Sequence, residues 1–222
     1  MLDIFDILGP VMVGPSSSHT AGAVRIGRMA LVLLGQVPVR ADIGLYGSFA
    51  ETGQGHGTDK ALIAGLLGMT PDDLDIPRSF ELARERGLDF EIHPARLREA
   101  HPNTAVLEVW GVDGKCIRLQ AASTGGGRIR VDKLNGVAVS FTGESNTLII
   151  RHTDTHGRVA DIARVLSDAK INIATMELCR AHRGGDALAV LETDQAVPDE
   201  VQQRLRSLVG VLGVTYYERG ED

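Results

Sequence analysis

A short polar segment early in the chain places hydroxyl and imidazole side chains directly before a predicted helix. Its sequence is GPSSSHTAG, residues 14–22, and its five consecutive polar residues are Ser16, Ser17, Ser18, His19 and Thr20. The free N–H groups at the start of a helix, together with neighbouring hydroxyls, suit a carboxylate or another small anion. One serine is enough to cap a helix. Five polar residues in a row therefore favour an anion-binding site over a simple cap.

A second segment, GSFAETGQGHGTDKA at residues 47–61, places His56 between two glycines before another predicted helix. Flanking glycines leave an imidazole reachable and let a ligand approach the backbone. A histidine with an ordinary pKa of about 6.5 is available as a neutral general base at cellular pH. Asp59 and Lys60 fall in the first turn of the following helix, where they can orient the histidine or pair with a substrate. An ordinary surface loop is the alternative.

Two further segments of the first half are rich in turn-forming residues. In HPN, His101 and Asn103 flank a proline that stiffens the turn, as a hydrogen-bonding pair for a polar substrate requires. Because His19, His56 and His101 recur in three short loops, the sequence predicts that they share one polar site. The segment at 123–127, STGGG, contains three successive glycines, which cost chain entropy on folding. The sequence favours close approach of a ligand or another chain there over a plain hairpin.

A polar loop in the second half, at 153–157, enters another predicted helix. Its polar residues and final glycine are Asp154, Thr155, His156 and Gly157. Free N–H groups beside these side chains suit an amino acid, and ordinary capping by Thr155 is an equal alternative. The remaining histidines, His93, His152 and His182, have no polar partners suggested by the sequence and are predicted to be surface residues.

Composition narrows the classes of function. The chain has 222 residues, and 23 Lys+Arg against 29 Asp+Glu give a net charge of −6, so it lacks the basic field that nucleic-acid binding needs. No apolar stretch approaches the ~18 residues of a membrane span, and the first residues lack the pattern of a signal peptide. We therefore expect a cytoplasmic location with no membrane contact. Cys116 and Cys179 form neither a zinc motif nor a disulfide framework; they are predicted to be buried small hydrophobes, and no metal site is expected in this chain.

The elements that position the first group of loops follow from periodicity and turn signals. The predicted helices are 21–34, 58–67 and 78–86. The loop at 14–20 precedes the first of these helices, and the glycine-rich loop at 53–57 precedes the second. The predicted strands are 39–46, 89–93, 104–110, 115–122 and 128–131. The result is an α+β domain, placed at residues 1–142.

The second half alternates short strands and helices in a regular order. The predicted strands are 147–151, 171–178, 187–193 and 211–217, and the predicted helices are 158–169 and 199–208. The order strand, helix, strand, strand, helix, strand is the βαββαβ arrangement of a ferredoxin-like fold. A second domain is therefore placed at residues 147–219.

The motifs GPSSSHTAGA, YGSFAETGQGHGTDKAL, HPN and STGGG, in this order, resemble the β chain of bacterial iron–sulfur-dependent L-serine dehydratases. The segment after Thr147 resembles an ACT domain, a small-molecule-sensing ferredoxin-like module. The resemblance implies a lyase of amino-acid metabolism and gluconeogenesis that dehydrates L-serine to aminoacrylate, which becomes pyruvate and ammonia. It also implies a four-iron cluster (4Fe-4S) held by three cysteines, with one iron free as a Lewis acid on the substrate. Since this chain has only two distant cysteines, the cluster is expected on a separate α chain, and this chain alone is expected to be inactive.

The same resemblance implies roles for the polar residues. His56 is expected to take the Cα proton, and His101 with Asn103 to orient the substrate or the catalytic groups. The residues expected to bind or surround the serine substrate are Ser16, Ser17, Ser18, His19, Thr20, Asp59 and Lys60. In the ACT half, the loop at 154–157 and Asn172 on the neighbouring strand are expected to form a regulatory serine site or only a dimer contact. ACT domains generally pair side by side, so the resemblance implies a dimer of αβ pairs.

Two alternatives remain at the sequence level. The chain can be a purely regulatory subunit that senses an amino acid through its ACT half and has no catalytic residues, in which case His56 has no role in turnover. It can also be a stand-alone metal hydrolase whose ligands are His19, His56, His101 and Asp59, although no HxxxH or HxH spacing supports this reading.

Overall fold

The structure is a computed structural model that describes residues 11–180 and 182–219, with the backbone alone at residue 54. Its described residues form two compact units, and the division falls between Asn135 and Gly136. The domain limits at residues 142 and 147 stay predictions, and both lie beyond this division. Helices and sheets occur in both units, which confirms the α+β class.

Helices of the first unit lie where periodicity predicts them. A short π-helical turn, Ser17–Ala21, continues directly into α1, Gly22–Leu34. The other helices are α2 (Ser48–His56), α3 (Thr58–Leu66) and α4 (Ser79–Glu85), with a 3-10 turn at Ile76–Arg78 before α4. The predicted helices at 21–34, 58–67 and 78–86 are confirmed. Within the described ranges, no helix is long and apolar enough to cross a membrane.

The helix α2 was not predicted, and the prediction of a loop at 53–57 is wrong. Phe49 and Gly53 lie four residues apart on one face of α2, and both are buried. Gly57 ends the helix with a φ of 72°, a left-handed conformation that glycine adopts at little cost. The glycines of this segment therefore form and end a helix instead of opening a loop.

Five strands of the first unit form a sheet in the order β2-β1-β3-β4-β5. They are β1 (Pro38–Tyr46), β2 (Asp89–Pro94), β3 (Thr104–Gly111), β4 (Cys116–Gly125) and β5 (Arg128–Leu134). The β1 and β2 strands are parallel, and the other neighbours are antiparallel. All five predicted strands are confirmed, although β4 and β5 run past their predicted ends.

Two glycines set the distance between α1 and α3. A Cβ atom at Gly27 would collide with the carbonyl oxygen of Leu62, and one at Gly65 would collide with that of Val24. The two helix backbones therefore touch, which only glycine at both positions permits. Because α1 follows the serine segment and α3 follows His56, this crossing helps to fix where both polar segments lie.

The second unit has the predicted ferredoxin-like topology. It opens with β6 (Val137–Phe141), a strand too short for periodicity to reveal. The remaining elements are β7 (Asn146–Thr153), α5 (Arg158–Asp168), β8 (Ile173–Arg180), β9 (Asp186–Thr193), α6 (Asp199–Arg206) and β10 (Val211–Tyr217). An antiparallel sheet has the order β10-β7-β9-β8, and its core includes Leu148, Ile150, Ile162, Leu166 and Leu205. The βαββαβ prediction is confirmed.

The prediction that both cysteines are buried is wrong. Cys116 is exposed because it precedes the buried Ile117 on β4, and side chains alternate between the two faces of a strand. Cys179 is half-buried on β8, the last strand in its sheet.

Two of the histidines predicted to be surface residues are placed differently. His152 is only 3% exposed, because it lies two residues after the buried Ile150 on β7 and therefore points to the same face of the sheet. His93 is partly buried on β2, and its Nε2 atom lies 2.9 Å from the Asp42 carboxylate of β1. His182 is exposed, as predicted.

Candidate functional site

Ser16 and the π turn that follows it hold His19 in place. The Ser16 Oγ atom accepts the backbone N–H of His19 at 3.2 Å, and its carbonyl accepts the N–H of Thr20 at 2.8 Å. The prediction of a loop through 14–20 is therefore wrong beyond Ser16, where helical structure begins. π turns of this kind are rare and occur frequently at functional sites. Three of the predicted residues are half-buried, Ser16, Ser17 and Ser18, and two are buried, His19 and Thr20.

The imidazole of His19 has hydrogen-bond partners on both sides. Its Nδ1 atom lies 3.4 Å from the Oγ atom of Ser16. Its Nε2 atom lies 3.0 Å from Thr52 Oγ1 and 3.2 Å from Ser48 Oγ. Because Ser48 and Thr52 belong to α2, one buried ring joins the serine segment to that helix.

Ser48, Thr52 and His56 follow one another at four-residue intervals and therefore share a face of α2. His56 is exposed at the end of the helix, and its ring centroid lies 5.0 Å from that of His19, with the planes at 70°. The structure thus brings together the first two histidines of the predicted site. Sequence reasoning missed Ser48 and Thr52 because four-residue spacing has meaning only in a helix, and the glycines conceal this one.

Burial lowers the pKa of His19 below its ordinary value. The carbonyl of Ser48 raises this pKa, and the positive charge that His56 can carry lowers it. Burial is the largest of the three effects, so His19 stays neutral at a pH where an exposed histidine begins to protonate. A neutral imidazole has one nitrogen that donates and one that accepts.

The HPN turn contacts the start of α2. The Nδ1 atom of His101 accepts the backbone N–H of Asn103 at 3.1 Å, which leaves the other nitrogen of the ring to donate. The Pro102 carbonyl accepts the N–H of Phe49 at 3.4 Å. A Cβ atom at Gly47 would lie 2.6 Å from that same carbonyl oxygen, so this approach requires glycine. The third histidine loop is therefore held against the helix that carries His56.

Asp59 and Lys60 lie in the first turn of α3, as predicted, and both are half-buried. The Asp59 carboxylate accepts the backbone N–H of Lys60 at 2.8 Å, and the Lys60 carbonyl accepts the hydroxyl of Ser79 at 2.8 Å. The sharp corner at Gly57 places this turn directly after His56. Asp59 thus shapes the start of α3, and chain connectivity keeps it close to the histidine.

Three hydroxyl oxygens within the described part of this unit are buried without a hydrogen-bond partner, those of Thr20, Thr58 and Ser123. Ser123 occupies the space beside Gly22, where a Cβ atom would collide with its side chain. Thr20 is only 2% exposed. Its hydroxyl faces the interior, so the reachable hydroxyls of the segment are those of the three serines.

The glycine run before β5 is explained by backbone conformation. Gly125, Gly126 and Gly127 all have positive φ, at 102°, 60° and 77°, in the hairpin between β4 and β5. Residues with side chains rarely adopt three such angles in succession. The hairpin that the sequence analysis disfavoured is therefore present. The carbonyl of Gly127 also accepts a hydrogen bond from Arg25 Nη1 of α1 at 3.1 Å.

The loop at 154–157 is stabilised by contacts within its own unit. The Asp154 carboxylate accepts hydrogen bonds from the Gly184 N–H at 3.0 Å and from Arg180 Nη1 at 2.8 Å. Both contacts lower the pKa of the Asp154 carboxyl, and the Gly184 N–H lowers it most. Thr155 and His156 are exposed. Gly157, with a φ of 88°, directly precedes α5.

Asn172 does not lie beside this loop within one chain. It precedes Ile173, which is paired with Thr193 at one end of the sheet, whereas Thr153 is paired with Asp186 at the other end. Asn172 Nδ2 donates to the Asp194 carboxylate at 2.6 Å. Strand direction separates Asn172 from the loop at 154–157 by the length of β8 within one chain. A regulatory site or dimer contact formed by these residues stays a prediction.

The described cysteines do not fit an iron–sulfur cluster. Cys116 and Cys179 belong to different units. Burial raises the pKa of both thiols, that of Cys179 to about 11, and Glu108 and Glu177 raise them further. Iron–sulfur clusters are held by cysteine thiolates. The raised pKa values of Cys116 and Cys179 disfavour the thiolate form. Among the described residues, no group of three or more His, Cys, Asp or Glu side chains is arranged to hold a metal ion, so nothing in the geometry favours the hydrolase alternative.

Family comparison agrees with both units. The family model described as "Serine dehydratase beta chain" matches residues 1–87, and the model described as "ACT domain" matches residues 146–210. The chain is therefore similar to a serine dehydratase beta chain in its first part and to an ACT domain in its second.

Curated relatives extend the match to almost the whole chain. It is 42% identical over 212 residues to the "Probable L-serine dehydratase, beta chain" of Bacillus subtilis, covering 96% of each chain. It is 32% identical to the "L-serine dehydratase, beta chain" of Peptoniphilus asaccharolyticus, over 96% of this chain and 97% of that one. "L-serine dehydratase TdcG" of Escherichia coli is 33% identical over 58% of this chain and 33% of the relative. The chain belongs to the L-serine dehydratase beta-chain family.

Proposed function

We propose that this chain is the β subunit of an iron–sulfur-dependent L-serine dehydratase that converts L-serine to pyruvate and ammonia. The observation that carries the proposal is the exposed His56 beside the buried, hydrogen-bonded His19, in a chain that matches a dehydratase beta chain over 96% of its length. In the reaction the Cα proton and the Cβ hydroxyl leave as water. The resulting aminoacrylate tautomerises and is hydrolysed to pyruvate and ammonia.

His56 is the general base of this proposal. Its ring is exposed at the end of α2, so a substrate can reach it, and its position is limited by the His19 ring on one side and by Gly57 on the other. A neutral imidazole in this position can take the Cα proton of serine. General bases of this kind contribute about 10²- to 10⁴-fold to the rate.

The substrate carboxylate is assigned to the serine segment. Ser17 and Ser18 are half-buried in the first helical turn, where hydroxyls and free N–H groups suit an anion. The buried residues His19 and Thr20 lie behind these serines and form the bottom of the carboxylate site. His101, with one ring nitrogen free to donate, and Asn103 orient the substrate from the HPN turn, and Asp59 and Lys60 lie on the α3 side.

The 4Fe-4S cluster is assigned to a separate α chain, because the two thiols of this chain do not suit it. The coverage of TdcG agrees with this division, since about two thirds of that relative lies outside its match to this chain. Activation of the leaving hydroxyl is therefore assigned to the α chain, and proton removal at Cα to this one.

The ACT unit is assigned a regulatory role, with an amino acid at Thr155, His156 and the N–H groups after Gly157. Because β8 is the last strand of the described sheet, two copies can pair along it. Antiparallel pairing would bring the Asn172 end of one copy beside the Asp154 end of the other. A homodimer of this kind would restore the contact that a single chain does not make.

The test is pyruvate release from L-serine without oxygen, with this chain alone, a cysteine-bearing α chain alone, and both together. We expect activity only in the mixture, and we expect His56→Gln to lower turnover at least 10²-fold while the two chains still co-purify. The matched control is His182→Gln, which changes an exposed histidine of the second unit and should leave turnover unchanged. Full activity of the α chain alone would instead establish the purely regulatory alternative.

A further inference from the structure

The Thr52 hydroxyl contacts both the Ser48 carbonyl and the Nε2 atom of His19. A threonine hydroxyl has one hydrogen to donate, and that of Thr52 is directed to the backbone carbonyl of Ser48 at 2.8 Å. The Thr52 oxygen can then only accept a hydrogen bond from the Nε2 atom of His19, 3.0 Å away. If Nε2 carried no hydrogen, its lone pair would face a lone pair of the Thr52 oxygen at this distance, which is repulsive. The hydrogen therefore belongs on Nε2.

The second hydroxyl near this nitrogen agrees with the assignment. Ser48 Oγ lies 3.2 Å from Nε2 of His19 and 3.5 Å from Thr52 Oγ1. An N–H directed between the two oxygens can be shared by both in a three-centre hydrogen bond. Both partners come from the same helix, so the ring is held against α2 along one edge.

The opposite edge of the ring then becomes an acceptor. In a neutral imidazole only one nitrogen carries hydrogen, and burial lowers the pKa of His19 and so favours the neutral ring. Its Nδ1 atom presents a lone pair to the Ser16 hydroxyl, 3.4 Å away. The same Ser16 oxygen accepts the backbone N–H of His19 at 3.2 Å, which leaves its own hydrogen free to point at Nδ1. One chain of hydrogen bonds thus runs from Ser16 through His19 to Thr52.

We propose that Thr52 is a positioning residue that fixes His19 as the Nε2–H tautomer, and that the fixed ring orients the Ser16 hydroxyl and the neighbouring His56. His19 supports the site from within and does not exchange protons with the substrate, because both of its ring nitrogens have partners inside the chain. The effect on turnover rests on the proposed function, whereas the tautomer does not.

The tautomer is read from the ¹⁵N chemical shifts of the His19 ring in the labelled full-length chain, by long-range ¹H–¹⁵N correlation. The pH is set well above the ordinary histidine pKa of about 6.5, and His19→Gln identifies the signals by their loss. We expect one protonated nitrogen, Nε2, and one unprotonated nitrogen, Nδ1. A protonated Nδ1 in the unmodified chain would overturn the proposal.

Two substitutions of Thr52 separate its hydroxyl from its shape. Thr52→Val keeps the branched side chain and removes the acceptor, so the His19 shifts should move towards values averaged over both tautomers. Thr52→Ser keeps the hydroxyl and should retain the original pattern. Thr52 is exposed on α2, so both variants should fold, which circular dichroism checks. An unchanged His19 pattern in Thr52→Val would contradict the proposal.

Turnover in the complex with the α chain tests the consequence. Loss of a partner that orients a metal-ligating histidine typically costs about 10- to 100-fold in activity. By the same physical reasoning, Thr52→Val should lower kcat/KM by about tenfold or more, and Thr52→Ser should restore it. Thr52→Val with unchanged kcat/KM overturns the positioning role. If His56→Gln is fully active, the proposed function fails instead, while the tautomer result stands by itself.

Discussion

The Oγ1 atom of Thr52 lies 3.0 Å from the Nε2 atom of His19, although 33 positions separate the two residues in the chain. This contact joins the serine segment to α2, and α2 carries His56 one turn beyond Thr52. Motifs that are distant in sequence therefore act as one structure. Any change that unwinds α2 should disturb the serine segment and the exposed histidine together.

Replacing both cysteines should leave the enzyme active. The thiols of Cys116 and Cys179 have raised pKa values and lie in different units, so neither is suited to holding a cluster. We expect the Cys116→Ser, Cys179→Ser double variant, mixed with the α chain, to match the unmodified complex in iron content and in pyruvate release. A proportional loss of iron and activity would instead place cluster ligands on this chain.

Gly65→Ala should weaken the first unit, because the added methyl group would collide with the Val24 carbonyl of α1. Overpacking of this kind costs about 1–3 kcal/mol in the free energy of unfolding. Trp110, the single tryptophan of the chain, lies on β3 and reports unfolding of this unit by fluorescence. The control is Gly55→Ala, where nothing lies within 4 Å of the new methyl group. An equal urea midpoint for both variants would contradict the close helix contact.

Local pattern was enough to predict most of the fold. The segment around Ile162 and Leu166 has apolar residues four apart. The strands of the second unit either alternate apolar and polar residues or are continuously apolar. These signals are physical consequences of burying one face of a helix or sheet. Cys116 was wrongly predicted to be buried and His152 wrongly predicted to be exposed, because which face of a strand is buried depends on what packs against it.

The candidate site was predictable in its residue types but not in its arrangement. His19, His56 and the HPN turn are recognisable as polar residues in special sequence contexts. The structure brings His19 beside His56 and places the HPN turn against the start of α2. Thr52 was missed because α2 has weak helical character in sequence, and tertiary contacts at Phe49 and Gly53 stabilise it. Its role depends on a contact across the fold that no local pattern contains.

Gly47→Ala should displace the HPN turn from α2. Gly47 has a φ of 58°, and a Cβ atom there would lie 2.6 Å from the Pro102 carbonyl oxygen. Gly57 also has a positive φ, of 72°, but with a ψ of 24° it lies in the left-handed helical region, whereas Gly47 has a ψ of −127°, which residues with side chains rarely adopt. Nothing lies within 4 Å of a Cβ atom at Gly57, so Gly57→Ala lacks the collision and carries the smaller backbone strain. We expect a larger fall in the unfolding midpoint for Gly47→Ala than for Gly57→Ala. Equal midpoints would mean that the turn tolerates the added methyl group.

The pair of His93 and Asp42 should stabilise the first unit at acidic pH and not at alkaline pH. The hydrogen bond to the Asp42 carboxylate raises the pKa of His93, and the Pro94 carbonyl raises it further. A pKa that is higher in the folded chain gives stability that is complete below about 6.5 and is lost as the pH rises through the folded value. Both side chains are about 40% exposed, so Asp42→Asn should cost about 0.2–1 kcal/mol at acidic pH. Urea unfolding of both chains, followed by Trp110 fluorescence below and above the pKa of His93, measures this cost. An equal loss of stability at alkaline pH would show that the ion pair is not the cause of the destabilisation.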